Sequence, residues 1–501
     1  MPRIRRFAPV AALLIVAPTL GVVAQGRPDS SGISRVIQGL RSNVQVSSRP
    51  VRTWSLIERM AQYKTPGVSV AVISDGRIAW ARGFGVKEAG TNDSVTAETL
   101  FQAASVSKPV AATATMRLVA QGKLGLDTEV NRYLKSWRVP GNRFTETEKV
   151  TLRRLLSHTA GLTVHGFPGY AATVPVPTVV QVLNGEKPAN TAAVRVDTTP
   201  GALWRYAGGG TTVQQLVLTD RTGEPFPVLM NRLVLSPIGM TRSTYEQPLP
   251  ESRWADAARA HRGSGQMIPG RWHTYPEMAA AGLWTTPTDL AKWALAVAAA
   301  WSGADSSLLP RPLAREMLTD QKGSYGLGPG VEGTGRAFRF GHGGANAGFR
   351  SQVLYYPEAG VGAAVMVSSD NGGDLIQEIM NAIAAEYRWP DRAPRTIEAI
   401  ALDSAGLAAA AGTWRMGPAD RGFGLTIELK DGTLWSRAPF NVMPEELVPV
   451  APGDFVGLSR GWRFEIRGDS IGIVTGPTNR IGGRRSEGSR RGEPGARSPD
   501  A

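Results

Sequence analysis

The sequence predicts a mixed α/β fold of the α+β kind, an antiparallel sheet flanked by helices with a helical subdomain, followed by a small all-β domain. Three observations carry this reading. Alternating strand patterns occur near residue 70 and again at 338–369. Between them the signals are mostly helical, separated by loops rich in Gly and Pro, so one sheet draws its strands from both ends of a domain. Beyond about residue 400 the helices give way to short strands joined by Asp-Gly and Gly-Asp turns. At 501 residues the chain exceeds one simple domain and is long enough for a large core.

Taken in order, residues 1–24 pair a basic start, MPRIRR, with an uncharged apolar run that ends in small residues at Val22 and Ala24. This reads as a secretory signal cut after Ala24. Residues 25–49, polar and rich in Ser and Arg, read as a linker. The stretch PGVSVAVISDGRIAWARGFGV alternates apolar and polar residues on both sides of Asp75-Gly76, which predicts a hairpin with a primed turn. The alanine-rich run after Ser105 predicts a helix that Gly122 stops. A second helix exit lies in KVTLRRLLSHTAGL, and Thr-Pro-Thr-Asp at 286–289 is a helix start. SQVLYYP and VGAAVMVSS read as strands either side of a Glu-Ala-Gly turn, and 374–387 as an amphipathic closing helix. This main domain spans 50–392. The all-β unit spans 400–478. The stretch 479–501, Gly, Arg and Ser with almost no apolar residue, is expected to be a disordered basic tail.

Composition excludes several function classes. There is no cysteine, so disulfides, thiol chemistry, Cys-based zinc sites and a lipid anchor on Cys are ruled out. The five histidines show no HExxH or other tight metal spacing, so no metal and no cofactor is expected. The net charge is +14; the leader holds three arginines, and the tail six arginines against three acids, which leaves about +8 on the body. A nucleic-acid partner does not suit an exported chain, and no long apolar run follows the leader. A periplasmic or secreted protein without a membrane span is the expectation, with anionic cell-surface material such as peptidoglycan among its candidate partners.

The chemistry concentrates at FQAASVSKPVAATATMRLVAQGKLGL. Ser105 precedes Lys108 by three residues, and no other lysine in the chain has a Ser at that spacing. Residues three apart share a helix face, so the Ser105 hydroxyl and the Lys108 amine can touch. A desolvated amine is more easily neutral and can take a serine proton. The helix N-terminus adds free N–H groups, and that of Ser105 is placed to hold a developing oxyanion. A Gly-x-Ser-x-Gly pattern at 457–461 is a decoy: strands flank it and no His follows, so Ser459 is a turn residue.

Around SVSK come LLSHTAGL at 155–162, RYAGGG at 205–210, AGLWTTPTDLAKW at 281–293 and GHGGANAG at 341–348. This ordered set resembles the serine β-lactamase and penicillin-binding-protein superfamily, most of all its class C β-lactamase, DD-peptidase and esterase branch, over residues 50–390. The resemblance implies a β-lactamase/transpeptidase-like fold, with Ser105 as acylated nucleophile and Lys108 as its base partner. It makes Tyr206 the second-motif tyrosine, able to relay the Ser105 proton. It places His342, Gly343 and Gly344 on a strand edging the substrate, with Gly344 allowing close approach and the Ala345 N–H joining that of Ser105 in the oxyanion hole. Two departures stand out. Gly208 replaces the usual Asn that binds an acyl amide, and His342 replaces the Lys of committed β-lactamases. Both suit an ester or peptide substrate better than a β-lactam. The all-β unit resembles the lipocalin-like domain of such relatives, with Trp414, Trp435 and Trp462 as core.

The implied function is an exported serine hydrolase acting on esters, D-amino-acid peptides or amides, or β-lactams, with esterase or peptidase favoured. A slow-turnover penicillin-binding protein and a non-catalytic binding protein on the same fold are the alternatives. His158 reads as structural, and His165, His261 and His273 as surface or loop residues. Asp289 and Glu316 read as solvated helix charges, and Trp284 as core.

Overall fold

The computed structural model describes residues 30–418, 422–439, 442–476 and 479–486; the signal read at 1–24 and the stretch beyond 486 lie outside them. Six strands form the main sheet: β1 (Gly67–Ser74), β2 (Arg77–Gly85), β3 (Gly330–Glu332), β4 (Arg339–Asn346), β5 (Phe349–Tyr356) and β6 (Val361–Val367). Their order is β2-β1-β6-β5-β4-β3, every pair antiparallel. The β1–β2 turn holds Asp75 and Gly76 at φ 51° and 67°, the left-handed pair a primed hairpin turn requires.

Strand alternation divides the core in two. Val68, Val70, Val72, Ala363, Val365 and Val367 face helix α5 (Gly372–Glu386). Ala71, Ile73, Ala364 and Met366 face the other way, into the helical part of the domain. That part holds α1 (Ser107–Ala120), α2 (Gly208–Thr222), α3 (Met278–Ala281) and α4 (Pro287–Ser302). Helix α4 starts as expected: the Thr286 side chain accepts from the Asp289 N–H, and Pro287 takes the first turn. Trp284 is fully buried, as read.

The second domain is a closed barrel of β7 (Gly412–Met416), β8 (Phe423–Lys430), β9 (Thr433–Arg437), β10 (Glu445–Ala451), β11 (Asp454–Gly457), β12 (Arg463–Arg467), β13 (Ser470–Gly476) and β14 (Asn479–Arg485). Each strand pairs with the next, and β14 closes on β7. Trp414 is fully buried in it, while Trp435 and Trp462 are only half-buried.

Four expectations are corrected. Residues 479–485 are a barrel strand, not the start of a disordered tail, because β14 draws its stability from backbone pairing on two sides rather than from apolar side chains. The stretch read as a linker is partly ordered: helix Ser30–Ile37 packs on α5 with Arg35 bonded to Glu386, and Val44–Val46 pairs in parallel with Arg395–Ile397. Its buried Ile33, Val36, Leu40, Val44 and Val46 are spaced among Ser and Arg, which masked them in composition. His261 is fully buried rather than superficial, its Nδ1 2.9 Å from the Ser368 carbonyl and its Nε2 accepting from the Ala89 N–H. Asp289 is also buried, accepting from the Arg242 N–H and Ser243 Oγ and paired with Lys292 at 2.9 Å. Ser459 lies in the exposed turn between β11 and β12, as read.

Candidate active site

The strand pair Phe101–Gln102/Trp284–Thr285 delivers the chain to a 3-10 turn at Ala104–Val106, and α1 follows from Ser107. Ser105 therefore stands in this turn, two residues before the α-helix expected to begin with it. Ala104 has φ 49°, a left-handed conformation that costs a non-glycine residue about 1–2 kcal/mol. The surroundings hold it there. The Ala103 carbonyl accepts from Ser351 Oγ at 2.7 Å, and Ser107 Oγ donates to the Ala104 carbonyl while accepting from the Leu283 N–H.

Lys108 is almost wholly buried, at 5% exposure. Its Nζ lies 3.1 Å from Ser105 Oγ and 2.8 Å from the carbonyl of Ala280 on α3. It also stands over the Tyr206 ring, 5.0 Å from the centroid. The predicted contact between Ser105 and Lys108 is thus present, and a backbone carbonyl fixes the amine from the far side.

Tyr206 ends the loop before α2. His158, at φ 56°, shapes that loop: its Nδ1 accepts from the Ala207 N–H at 3.2 Å and its carbonyl from the Arg205 N–H at 2.9 Å. Burial and the Lys108 charge hold His158 well below the usual imidazole range, so the ring is neutral and accepts. Its ring centroid is 4.3 Å from that of Tyr206, which fits the structural role read for it. The Tyr206 hydroxyl is buried with no hydrogen-bond partner among the described residues. It is the polar atom here still open to a bond. His165, on the exposed rim, approaches the same ring to 5.0 Å.

His342 lies on β4. Its Nδ1 is 2.5 Å from the Gly343 carbonyl and its Nε2 2.8 Å from the hydroxyl of Tyr325. A neutral ring satisfies both, with Nδ1–H donating and the Tyr325 hydroxyl donating to Nε2. Burial, with Lys108 second, pushes the His342 pKa down to about 4. Burial lifts Tyr325 well above the usual phenol range, so it keeps its proton. Tyr325 was missed in the sequence: it stands alone between Gly323 and Gly326, in a stretch with no period to mark it.

The glycines divide their tasks. A Cβ on Gly344 would lie 2.3 Å from the Ala103 carbonyl and 2.4 Å from Ser351 Oγ, so this glycine lets the turn that holds Ser105 pack on β4. Gly343 and Ala345 are exposed. Beyond Gly341 the outer edge of β4 has no strand partner among the described residues, because β3 pairs only with residues 339–341. At Gly208 a Cβ would meet the Phe167 ring and the His165 carbonyl, each at 3.0 Å. An aromatic ring has taken the space that an Asn side chain would need.

A serine and a buried lysine in contact, a tyrosine over the lysine and a strand edge open beside them define a serine hydrolase of the acyl-transfer type. The chain belongs to the Beta-lactamase family, whose model matches residues 55–386. It is 27% identical to the esterase EstB of Burkholderia gladioli over 334 residues, 60% of this chain and 79% of that protein. It is 27% identical to penicillin-binding protein 4 of Amycolatopsis lactamdurans, covering 68% of this chain and 93% of that one. A D-aminopeptidase of Brucella anthropi is 25% identical over 64% of this chain and 59% of its own length. In fold, the chain is similar to the octameric penicillin-binding protein homologue from Pyrococcus abyssi, with TM-score 0.58, 22% identity, and 85% and 98% of the two chains covered.

Proposed function

We propose that the chain is an exported hydrolase that acylates Ser105 with carboxylic esters and releases the acyl group to water. Ser105 Oγ attacks the ester carbonyl carbon, and its single proton passes to the free-base form of the Lys108 amine, directly or through the Tyr206 phenol, which takes it as it hands its own proton on to Lys108. The carbonyl oxygen gathers negative charge beside the N–H groups of Ser105 and Ala345. Collapse expels the alcohol, which takes the proton back. A water molecule then repeats the attack on the acyl-serine and frees the acid.

The single observation that carries this reading is Lys108 Nζ, 3.1 Å from Ser105 Oγ and 2.8 Å from the Ala280 carbonyl in a buried position. Two others favour esters over β-lactams. Phe167 fills the place of an acyl-amide binder, and a neutral His342 offers no fixed positive charge to a substrate carboxylate. The likeness to an esterase supports it as well. A second reading, D-amino-acid peptides or amides, draws on the unpaired edge of β4, which an extended peptide can join as a further strand, and on the likeness to a D-aminopeptidase. The apolar leader at 1–24 supports export to the periplasm or beyond the cell in this reading, and peptidoglycan is then a candidate partner for the peptide alternative.

The test offers a short-chain p-nitrophenyl ester, a D-alanine p-nitroanilide and a chromogenic cephalosporin to the mature chain and to Ser105→Ala. Ester turnover that vanishes in the variant, well above cephalosporin turnover, is the expected result. Cephalosporin turnover as fast as ester turnover would sink the esterase reading, and anilide turnover above both would move it to the peptide one.

A further inference from the structure

Helix α3 is a single turn, and the carbonyl of its third residue, Ala280, accepts from Lys108 Nζ at 2.8 Å. Side chains of neighbouring elements hold the turn. Gln215 on α2 accepts from the Ala279 N–H at 2.9 Å and donates to the Pro276 carbonyl at 3.1 Å. Asn346 on β4 donates to the Ala281 carbonyl at 3.0 Å. Glu277 stands at the head of the turn, where its own carbonyl accepts from the Ala280 and Ala281 N–H groups. Its side chain is fully buried, and neither carboxyl oxygen has a hydrogen-bond partner among the described residues. The groups around it offer no compensating charge. Tyr170 and Tyr275 are the titratable ones nearby, and burial holds both phenols above their usual range, so they keep their protons. Helix α2 presents the neutral Gln215, and α1 reaches α3 through the Lys108 amine, which is engaged by Ala280 and Ser105. A carboxyl is tolerated in such a place as the neutral acid. As an anion it is a buried charge without a partner, and exposure to water relieves the cost.

We propose that Glu277 is a positioning residue for the reaction: as the neutral acid it lets α3 hold Lys108 against Ser105, and on losing its proton it opens α3 and withdraws the Ala280 carbonyl from the Lys108 amine. The inference rests on the reading of Ser105 and Lys108 as the acylating pair. The backbone bonds that close the turn begin at Glu277 itself, so a movement that carries its carboxylate to water breaks them. Lys108 then loses the contact that fixes its amine from the far side, and proton transfer from Ser105 slows. Burial raises the Glu277 pKa to about 8, which sets the change on the alkaline side of neutrality. The closed turn binds the proton more tightly than the opened one, so raising the pH favours opening.

Two measurements on the full mature chain test it, beside Glu277→Gln and Glu277→Met, which are neutral at every pH. The first is hydrogen exchange of the peptide spanning 277–282, read as protection against the intrinsic rate at each pH. In the parent this protection is expected to fall at least about tenfold from pH 6 to pH 9, while that of β6 stays level; in the variants both stay level. Exchange needs no substrate, so it decides the proposal even where the ester reading fails. The second is the pH profile of kcat/KM with a p-nitrophenyl ester. The parent is expected to lose activity along a single-proton limb, about tenfold below its maximum by pH 9, and the variants to lack that limb. Level protection of 277–282 in the parent, an equal loss in β6, or an alkaline limb that persists in both variants would each overturn the assignment.

Discussion

Ser105 and Ser107 stand two residues apart with different tasks. Ser107 is fully buried, its hydroxyl spent on the Ala104 carbonyl and the Leu283 N–H, so it braces the turn. Ser105 turns its hydroxyl to Lys108. The Ser-x-x-Lys spacing made that pair legible in sequence, because helical geometry brings positions three apart together. Tyr325 was not legible, since its role depends on a partner 17 residues away across a loop. The hydrogen bond from Tyr325 to His342 Nε2 favours the neutral imidazole and keeps its proton on Nδ1. In Tyr325→Phe the His342 pKa, which burial pushes down to about 4 in the parent, is expected to move up by about one unit, the equivalent of one lost hydrogen bond. With five histidines in the chain, NMR can follow each one. An unmoved midpoint would contradict the role of Tyr325. Gly208→Asn is expected to cost about 1–3 kcal/mol by crowding Phe167 and to leave cephalosporin turnover unchanged. Chemical denaturation and a nitrocefin assay check both, and a rise in turnover would show that Phe167 does not block the site.

At the scale of elements, the primed hairpin and the start of α4 were read correctly because their signals are local: Asp-Gly at left-handed positions, Thr-Pro at a cap. Residues 30–46 and β14 were misread because their order comes from distant partners: α5, the strand Arg395–Ile397 and β7. Helix α3 shows a further tertiary feature. Its Ala280 carbonyl holds Lys108, and Glu277 precedes it, fully buried, with both carboxyl oxygens lacking a hydrogen-bond partner among the described residues. Burial raises the Glu277 pKa to about 8. The folded protein therefore holds the proton more tightly than the unfolded chain. This contribution to stability is complete below the unfolded value near 4.5 and is lost as pH rises through 8. Glu277→Gln is expected to match the parent near pH 5 and to exceed it at pH 9 by a few kcal/mol. Melting curves at the two pH values check this, and parallel behaviour at both would refute it.

At the scale of the whole molecule, the order of a sheet domain and a β domain was legible from composition and turn spacing. Their docking was not, because it runs through single contacts such as the Val44 N–H on the Leu458 carbonyl and Arg49 on Glu446. Ending the chain at residue 478 removes β14 and leaves β7 and β13 with open edges. Limited proteolysis is expected to degrade the barrel of this truncated chain first, with the sheet domain more resistant. A barrel as resistant as that of the full chain would show that closure by β14 contributes little.

The central claim is that Ser105, and no other serine, carries the acyl group. The direct measurement is peptide mass spectrometry of the mature chain quenched in acid during turnover of a p-nitrophenyl ester. The account predicts one acyl adduct on the peptide holding Ser105, absent in Ser105→Ala. An adduct on Ser107 or Ser459 in its place, or ester turnover that persists in Ser105→Ala, would contradict it.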